Sequence, residues 1–238
     1  MLGIDQVALT FGGLNPARET LVAALEAVCK DPTEAIKVLK LGPKQLFQIE
    51  CNLGLGSAPT MRALERFSGT LYDAIDAGSL SAQAWSRAKQ SLLIQTSLFG
   101  LIPSTDLIPN FRFSASTKLP GINLKQLWSA AHEPIFRRLD QGLIVDLRSK
   151  GYVELAPIPS DLESVWIEVV QNTDGELRAL NHFNKQAKGR LVRAVLEAQK
   201  PVDTWKQVQK VAESIGYQLG EPNAEGQAYL VIGMTPSA

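Results

Sequence analysis

The residues best equipped for chemistry in this chain are cations at helical spacing. On a helical wheel drawn for residues 181–200, Lys185, Lys188 and Arg193 gather on one side, while Phe183, Ala187, Leu191, Ala194 and Ala198 share the opposite arc. A cationic stripe suits phosphates, because each Lys or Arg near a nucleic-acid backbone releases condensed counterions whatever the base sequence. The same stripe is also the solvated face of an ordinary amphipathic helix. A second set is mixed in charge. Asp146, Arg148 and Ser149 lie in and just after the apolar run Leu143–Leu147, Tyr152 follows closely, and Tyr72 stands far upstream. A lysine whose pKa falls among Arg148 and Lys188 is a candidate nucleophile or general base, Lys185 being one, with Tyr72 or Tyr152 as proton donor. The competing reading is structural: Asp146 pairs with Arg148 or Lys185, and the tyrosines are core residues with satisfied hydroxyls.

A third pattern lies within residues 44–67. Leu53-Gly-Leu-Gly56 separates two segments with helical apolar spacing, which is the pattern of a helix-hairpin-helix element. Glycines at 54 and 56 would let backbone amides approach a phosphate at the start of the second helix, with Lys44 and Arg62 flanking. A glycine-capped turn between two packed helices gives the same pattern without a ligand.

Composition removes several classes. The 238 residues are 45% hydrophobic and 20% charged, an ordinary globular balance. Basic and acidic residues number 24 each, so any polyanion site must come from local segregation of charge. Cys29 and Cys51 form no Cys-x-x-Cys pair, and only His132 and His182 join them, so no metal and no cofactor is expected. Direct iron handling is disfavoured because Asp73 and Asp76 have no histidine at ligand spacing. A start without a charged, apolar leader and the lack of a span-length apolar run predict a cytoplasmic protein with no membrane contact.

The elements that must position these residues follow in order. Met1–Phe11 reads as a strand or extended arm. Helices are expected from Asn15 to about Cys29, from Asp31-Pro32 to about Leu41, after Gly42-Pro43, and through Thr60, Ala63, Leu64 and Phe67. Ser81 caps a helix through Trp85 and Ala88. Ser91–Leu98 reads as a central strand, followed by a long loop that Pro103 and Pro109 stiffen and that returns carrying Arg112. Leu124–Leu139 is a helix stopped by Gly142. Strands follow at Leu143–Leu147 and Val165–Val170, and Gly175 marks a hairpin into the basic helix. A strand delivering Arg148 and Ser149 at its carboxyl end is where open α/β sheets place their sites. Asp203–Ile215 is a helix, and Gln227–Ile232 closes the chain as part of a hairpin. With no repeat or linker, the expectation is one α+β domain, residues 1–238, with a central sheet flanked by helices.

Taken together these segments resemble the YaaA family, the peroxide stress proteins. The likeness rests on Gly69-Thr-Leu-Tyr72, on Leu98-Phe-Gly-Leu-Ile-Pro-Ser-Thr-Asp106 with Pro109 and Phe111-Arg112, and on Val145-Asp-Leu-Arg-Ser149 with Tyr152. Phe183-Asn-Lys-Gln-Ala-Lys-Gly189 with Arg193, and Glu225-Gly226, complete it. The resemblance implies protection against peroxide, binding of double-stranded or branched DNA, a link to DNA repair, and a mixed α/β fold with a basic cleft. It implies that Leu53–Gly56 is the hairpin and that Lys185, Lys188 and Arg193 belong to the cleft wall. Lys44, Gly54, Gly56, Arg62 and Arg112 join them as expected DNA contacts, made to phosphates with little sequence preference. The family's usual opening, a strand leading into a Pro-Ser-Glu-Lys-like or Pro-Ala-Lys-like motif, has no counterpart before Leu9. The alternative to a DNA-binding protein is an enzyme acting on a nucleotide or another small anion, with Tyr72, Asp146, Arg148, Ser149, Tyr152 and Lys185 at the strand ends.

Overall fold

The computed structural model describes residues 9–139, 142–173, 176–179 and 183–232. They form helices α1 (Asn15–Cys29), α2 (Pro32–Leu39), α3 (Phe47–Leu53), α4 (Ala63–Arg66), α5 (Thr70–Ile75), α6 (Ala82–Ser91), α7 (Leu124–Arg138), α8 (Lys150–Leu155), α9 (Phe183–Glu197) and α10 (Trp205–Ser214). The strands are β1 (Met61–Arg62), β2 (Leu93–Thr96), β3 (Gly100–Pro103), β4 (Leu107–Ile108), β5 (Ile144–Asp146), β6 (Ser164–Thr173), β7 (Glu176–Ala179), β8 (Gln218–Leu219) and β9 (Gln227–Ile232). The class is α+β, as the segment order predicts. Two compact units divide the chain: Met1–Arg66, Ser91–Leu139 and Ser149–Pro159 make the first, and Phe67–Gln90, Asp140–Arg148 and Ser160–Ala238 the second.

The first unit is helical, with two small antiparallel ribbons, β1–β4 and β2–β3. Its core holds Leu14, Leu21 and Leu25 of the α1 region with Ile102, Ile108, Trp128 and Ile135. Ser91–Leu98 is not a central strand. Ser91 ends α6, and β2 folds straight back onto β3 with Thr96 opposite Gly100. Three polar side chains fix this turn from inside. The Arg18 guanidinium, fully buried, donates to the carbonyls of Phe99 at 2.8 Å, Thr10 at 3.0 Å and Leu101 at 3.2 Å, and to Asn15 Oδ1 at 2.9 Å. His132 Nε2 accepts from the Leu101 N–H at 3.0 Å, so its Nδ1 carries the proton and donates to the Trp128 carbonyl at 2.8 Å. Trp128 Nε1 donates to the Ser97 carbonyl at 2.8 Å. Gly100 is required here: its φ is +65°, and a Cβ would stand 2.8 Å from the Trp128 ring. Asn15 therefore serves Arg18 rather than capping α1, whereas Asp31 does cap α2 through the N–H of Thr33 at 2.9 Å.

The second unit is built on a five-stranded mixed sheet. β5 and β9 run parallel to β6, β8 pairs antiparallel with β9, and β7 turns back along the far end of β6. Val165, Ile167, Val169, Ala228 and Leu230 make one apolar face with Ala187 and Leu191 of α9 and Val208 and Ala212 of α10. Residues of β6 alternate between faces, so Trp166 and Glu168 lie on the other side, together with Asp146 and Gln227, which flank Trp166 in register. α9 crosses α5 very closely. Only a glycine fits at 189, where a Cβ would fall 2.2 Å from the Leu71 carbonyl oxygen. The hairpin predicted at Gly175 is consistent with Thr173 facing Glu176, although Gly175 itself is outside the described residues, as are Asn181, His182 and most of the expected strand Met1–Phe11.

Candidate polar cluster and cation sites

The second unit carries a compact charged cluster. Asp146, buried at the end of β5, accepts from Arg148 three times: the backbone N–H at 3.0 Å, Nε at 2.8 Å and Nη2 at 2.6 Å. The fork is bidentate, and the two-residue spacing folds Arg148 back over the strand end. The Arg148 carbonyl in turn accepts from Trp166 Nε1 at 2.9 Å and from Lys188 Nζ at 3.4 Å. Lys188 Nζ sits 6.0 Å from the centre of a Trp166 ring, within reach of its negative face. Glu168, two residues along β6, receives the Gln227 amide at 2.7 Å.

Lys188 is the least satisfied member. It is only 4% exposed, yet it makes a single long hydrogen bond and no ion pair within 4 Å among the described residues. Burial pushes its pKa down to about 8, against a smaller upward pull from Asp146 and then Glu168. A stripe of three exposed cations on α9 is therefore not what the chain builds. On the wheel Lys188 borders the apolar arc of Ala187 and Leu191 on the Lys185 side, and close approach to α5 and the sheet buries residues 187–189 together. Arg193 is also held inward, donating to the carbonyls of Ile75 at 2.7 Å and Asp76 at 3.0 Å and so closing the end of α5. Lys185 remains exposed and pairs with no described carboxylate. It does not pair with Asp146; the alternative partner, Arg148, does.

Tyr72 is half-buried and stacks on Phe67 with ring centres 5.1 Å apart. Ser149 and Tyr152 belong to the first unit. Ser149 is exposed, and its carbonyl accepts the Tyr152 N–H at 2.9 Å. Burial raises the Tyr152 hydroxyl pKa, opposed by a hydrogen bond with the Ser97 side chain.

Also in the first unit, the fully buried Asn52 accepts from the Arg112 N–H at 2.8 Å and donates to the Arg112 carbonyl at 2.9 Å. The main chain of Arg112 is fixed, while its half-buried guanidinium has no partner among the described residues. Lys44 and Arg62 are exposed. Gly54 and Gly56 correct the hairpin expectation. Gly54 closes α3 by donating its N–H to the Glu50 carbonyl at 2.9 Å, so the segment meets the carbonyl end of a helix. Residues 57–60 are not helical, Met61–Arg62 pair with β4, and α4 is a single turn. A helix-hairpin-helix is not formed, because the backbone of 61–62 is drawn into a ribbon by Leu107–Ile108.

Asn52, Arg18 and the His132 tautomer have no motif in the sequence. The Asp146-x-Arg148 spacing was the one legible signal of the charged cluster.

Among the described residues no group of three or more His, Cys, Asp or Glu side chains gathers as a metal site, and no helix is long and apolar enough to cross a membrane. Fold and site thus define an α+β protein with a buried lysine in a charged cluster beside a short parallel strand, and with separately presented cations. Residues 10–222 match the family model described as peroxide stress protein YaaA. A UPF0246 protein of Corynebacterium glutamicum is 36% identical over 235 residues, covering 96% of this chain and 92% of its own. Others from Corynebacterium efficiens (35%, covering 90% and 85%) and Streptomyces coelicolor (32%, covering 92% and 86%) are similar over nearly the same span. The chain belongs to the YaaA peroxide stress protein family.

Proposed function

We propose that this chain is a DNA-binding protein of the peroxide stress response, holding the phosphate backbone of double-stranded or branched DNA with little preference for sequence. The observation that carries this reading is the Asn52 clamp on Arg112, which orders the main chain of a cation and leaves its guanidinium for a ligand. The backbone of Arg112 then has no ordering cost left on binding and only its side chain is immobilised, which favours an interaction with a fixed phosphate. Lys44 precedes α3 and Asn52 stands in its last turn, so roughly 10 Å of helix lies between them, a span of about three nucleotides along one strand of DNA. Lys185, and Arg62 on the exposed strand β1, add further phosphate contacts. The family description supplies the peroxide stress setting, and shielding DNA from peroxide-derived damage is the protective effect that this reading adds to it.

The competing reading, an enzyme acting on a nucleotide or another small anion with Tyr72, Asp146, Arg148, Ser149, Tyr152 and Lys185 at the strand ends, is weakened because Arg148 and Asp146 engage each other in a bidentate pair. Titration of a fluorescent duplex and a four-way junction, followed by anisotropy at low salt, tests the proposal. Binding to both at micromolar concentration or below is expected; no binding to either at low salt overturns it.

A further inference from the structure

Phosphate binding does not explain the placement of Lys188. Its amine is shielded from solvent and does not reach the carboxylates nearest to it: Asp146 is engaged by Arg148, and Glu168 by Gln227. Of its three N–H directions, one is used among the described residues, at 3.4 Å. A lysine kept for structure alone would be expected to pair with one of these carboxylates, since an unpaired buried charge is costly. What the arrangement does favour is a neutral amine beside two negative charges that would stabilise a cation formed on it.

We propose that Lys188 is a reactive amine that takes an aldehyde, binding it reversibly as an imine beside Trp166, Glu168 and Arg148. The unprotonated Nζ adds its lone pair to the carbonyl carbon, and a proton passes from nitrogen to the former carbonyl oxygen to give the carbinolamine. The carbinolamine hydroxyl takes one proton from solvent and leaves as water while the nitrogen lone pair closes the C=N bond, which leaves the protonated imine with its positive charge towards Asp146 and Glu168. No oxidant or reductant is consumed. The lowered pKa supports this chemistry, since a usable fraction of the amine is neutral near pH 7 whereas an ordinary surface lysine is almost wholly protonated. The face of Trp166 suits the planar C=N group. The inference does not depend on the DNA reading, since the aldehyde can come from a small molecule or from the ring-opened sugar of an abasic site.

Both sources are tested with the full chain and sodium borohydride, which adds hydride to the imine carbon and makes the link permanent. One arm uses pyridoxal 5′-phosphate as a small anionic aldehyde; the other uses a duplex oligonucleotide with a single abasic site. The modified lysine is located by peptide mass spectrometry. Trapping at Lys188 in preference to exposed Lys185, rising from pH 6 to 8 and lost in Lys188→Met but kept in Lys185→Met, is the expected result. The arm that reacts names the source. Trapping by neither probe, or modification of surface lysines without preference for Lys188, overturns the proposal. Mapping on the unsubstituted chain decides this even if Lys188→Met fails to fold.

Discussion

The side-chain amide of Asn52 binds both main-chain polar groups of Arg112, accepting at 2.8 Å and donating at 2.9 Å, as a neighbouring strand would. A buried side chain thus takes the place of a ladder for a residue that lies in no strand, and it holds Arg112 beside the end of α3.

Asn52→Ala removes both bonds and leaves buried groups unpaired, so it is expected to cost about 1–3 kcal/mol of stability. Arg112→Ala removes only a guanidinium that has no partner among the described residues and is expected to leave stability within about 0.5 kcal/mol of the parent. Urea denaturation of the two variants checks the contrast; equal losses would show that Arg112 is held for packing.

Lys188 makes stability depend on pH in an unusual direction. Its pKa is about 8 in the folded chain and near 10.5 when solvated, so between these values the unfolded chain binds more protons. Stability should therefore rise as pH climbs from 8 towards 10.5, by about 2–3 kcal/mol from this group alone. Arg18, lowered to about 10 by burial, adds to the rise only above that pH. Lys188→Met replaces a desolvated ammonium with an apolar chain of similar length, and at pH 7 it should stabilise the protein by about 1–3 kcal/mol. Thermal unfolding of parent and variant from pH 7 to 10 gives the test: the gap should close as pH rises. A variant less stable than the parent at pH 7 contradicts this assignment.

Gly189→Ala is expected to destabilise the α5–α9 crossing by about 2–3 kcal/mol, because the added methyl would sit 2.2 Å from the Leu71 carbonyl oxygen and both helices would have to part. Exposed Lys185→Ala, one turn earlier on the same helix, serves as the control and should be near neutral. Guanidinium unfolding curves of the two variants provide the measurement, and a Gly189→Ala midpoint equal to that of the control would show that the crossing can relax.

Capping and apolar periodicity made the long helices legible. Asn15, Asp31-Pro32, Ser81 and the stripe through Trp128 and Ile135 locate α1, α2, α6 and α7 to within a few residues, and the Ser81 hydroxyl does accept the Ala84 N–H at 3.1 Å. Tertiary pairing is where local pattern failed. Met61–Arg62 fits a helix until Leu107–Ile108 offers a ribbon, and Ser91–Leu98 has strand composition but turns at once because Arg18, Trp128 and His132 grip the bend. For the charged cluster, Asp146 and Arg148 are near in sequence and their pairing could be anticipated. Lys188 could not be placed, since a helical wheel shows which residues share a side and not how many sides are covered. α9 is packed on two, by the sheet and by α5.

The most direct measurement of DNA binding is the salt dependence of duplex affinity, compared with that of the triple variant Lys44→Ala/Arg112→Ala/Lys185→Ala. Phosphate contacts by these cations give a linear fall of log affinity with log salt in the parent and a slope shallower by roughly 0.9 for each phosphate that the variant no longer neutralises. An unchanged slope, or duplex binding that salt does not weaken, would contradict it.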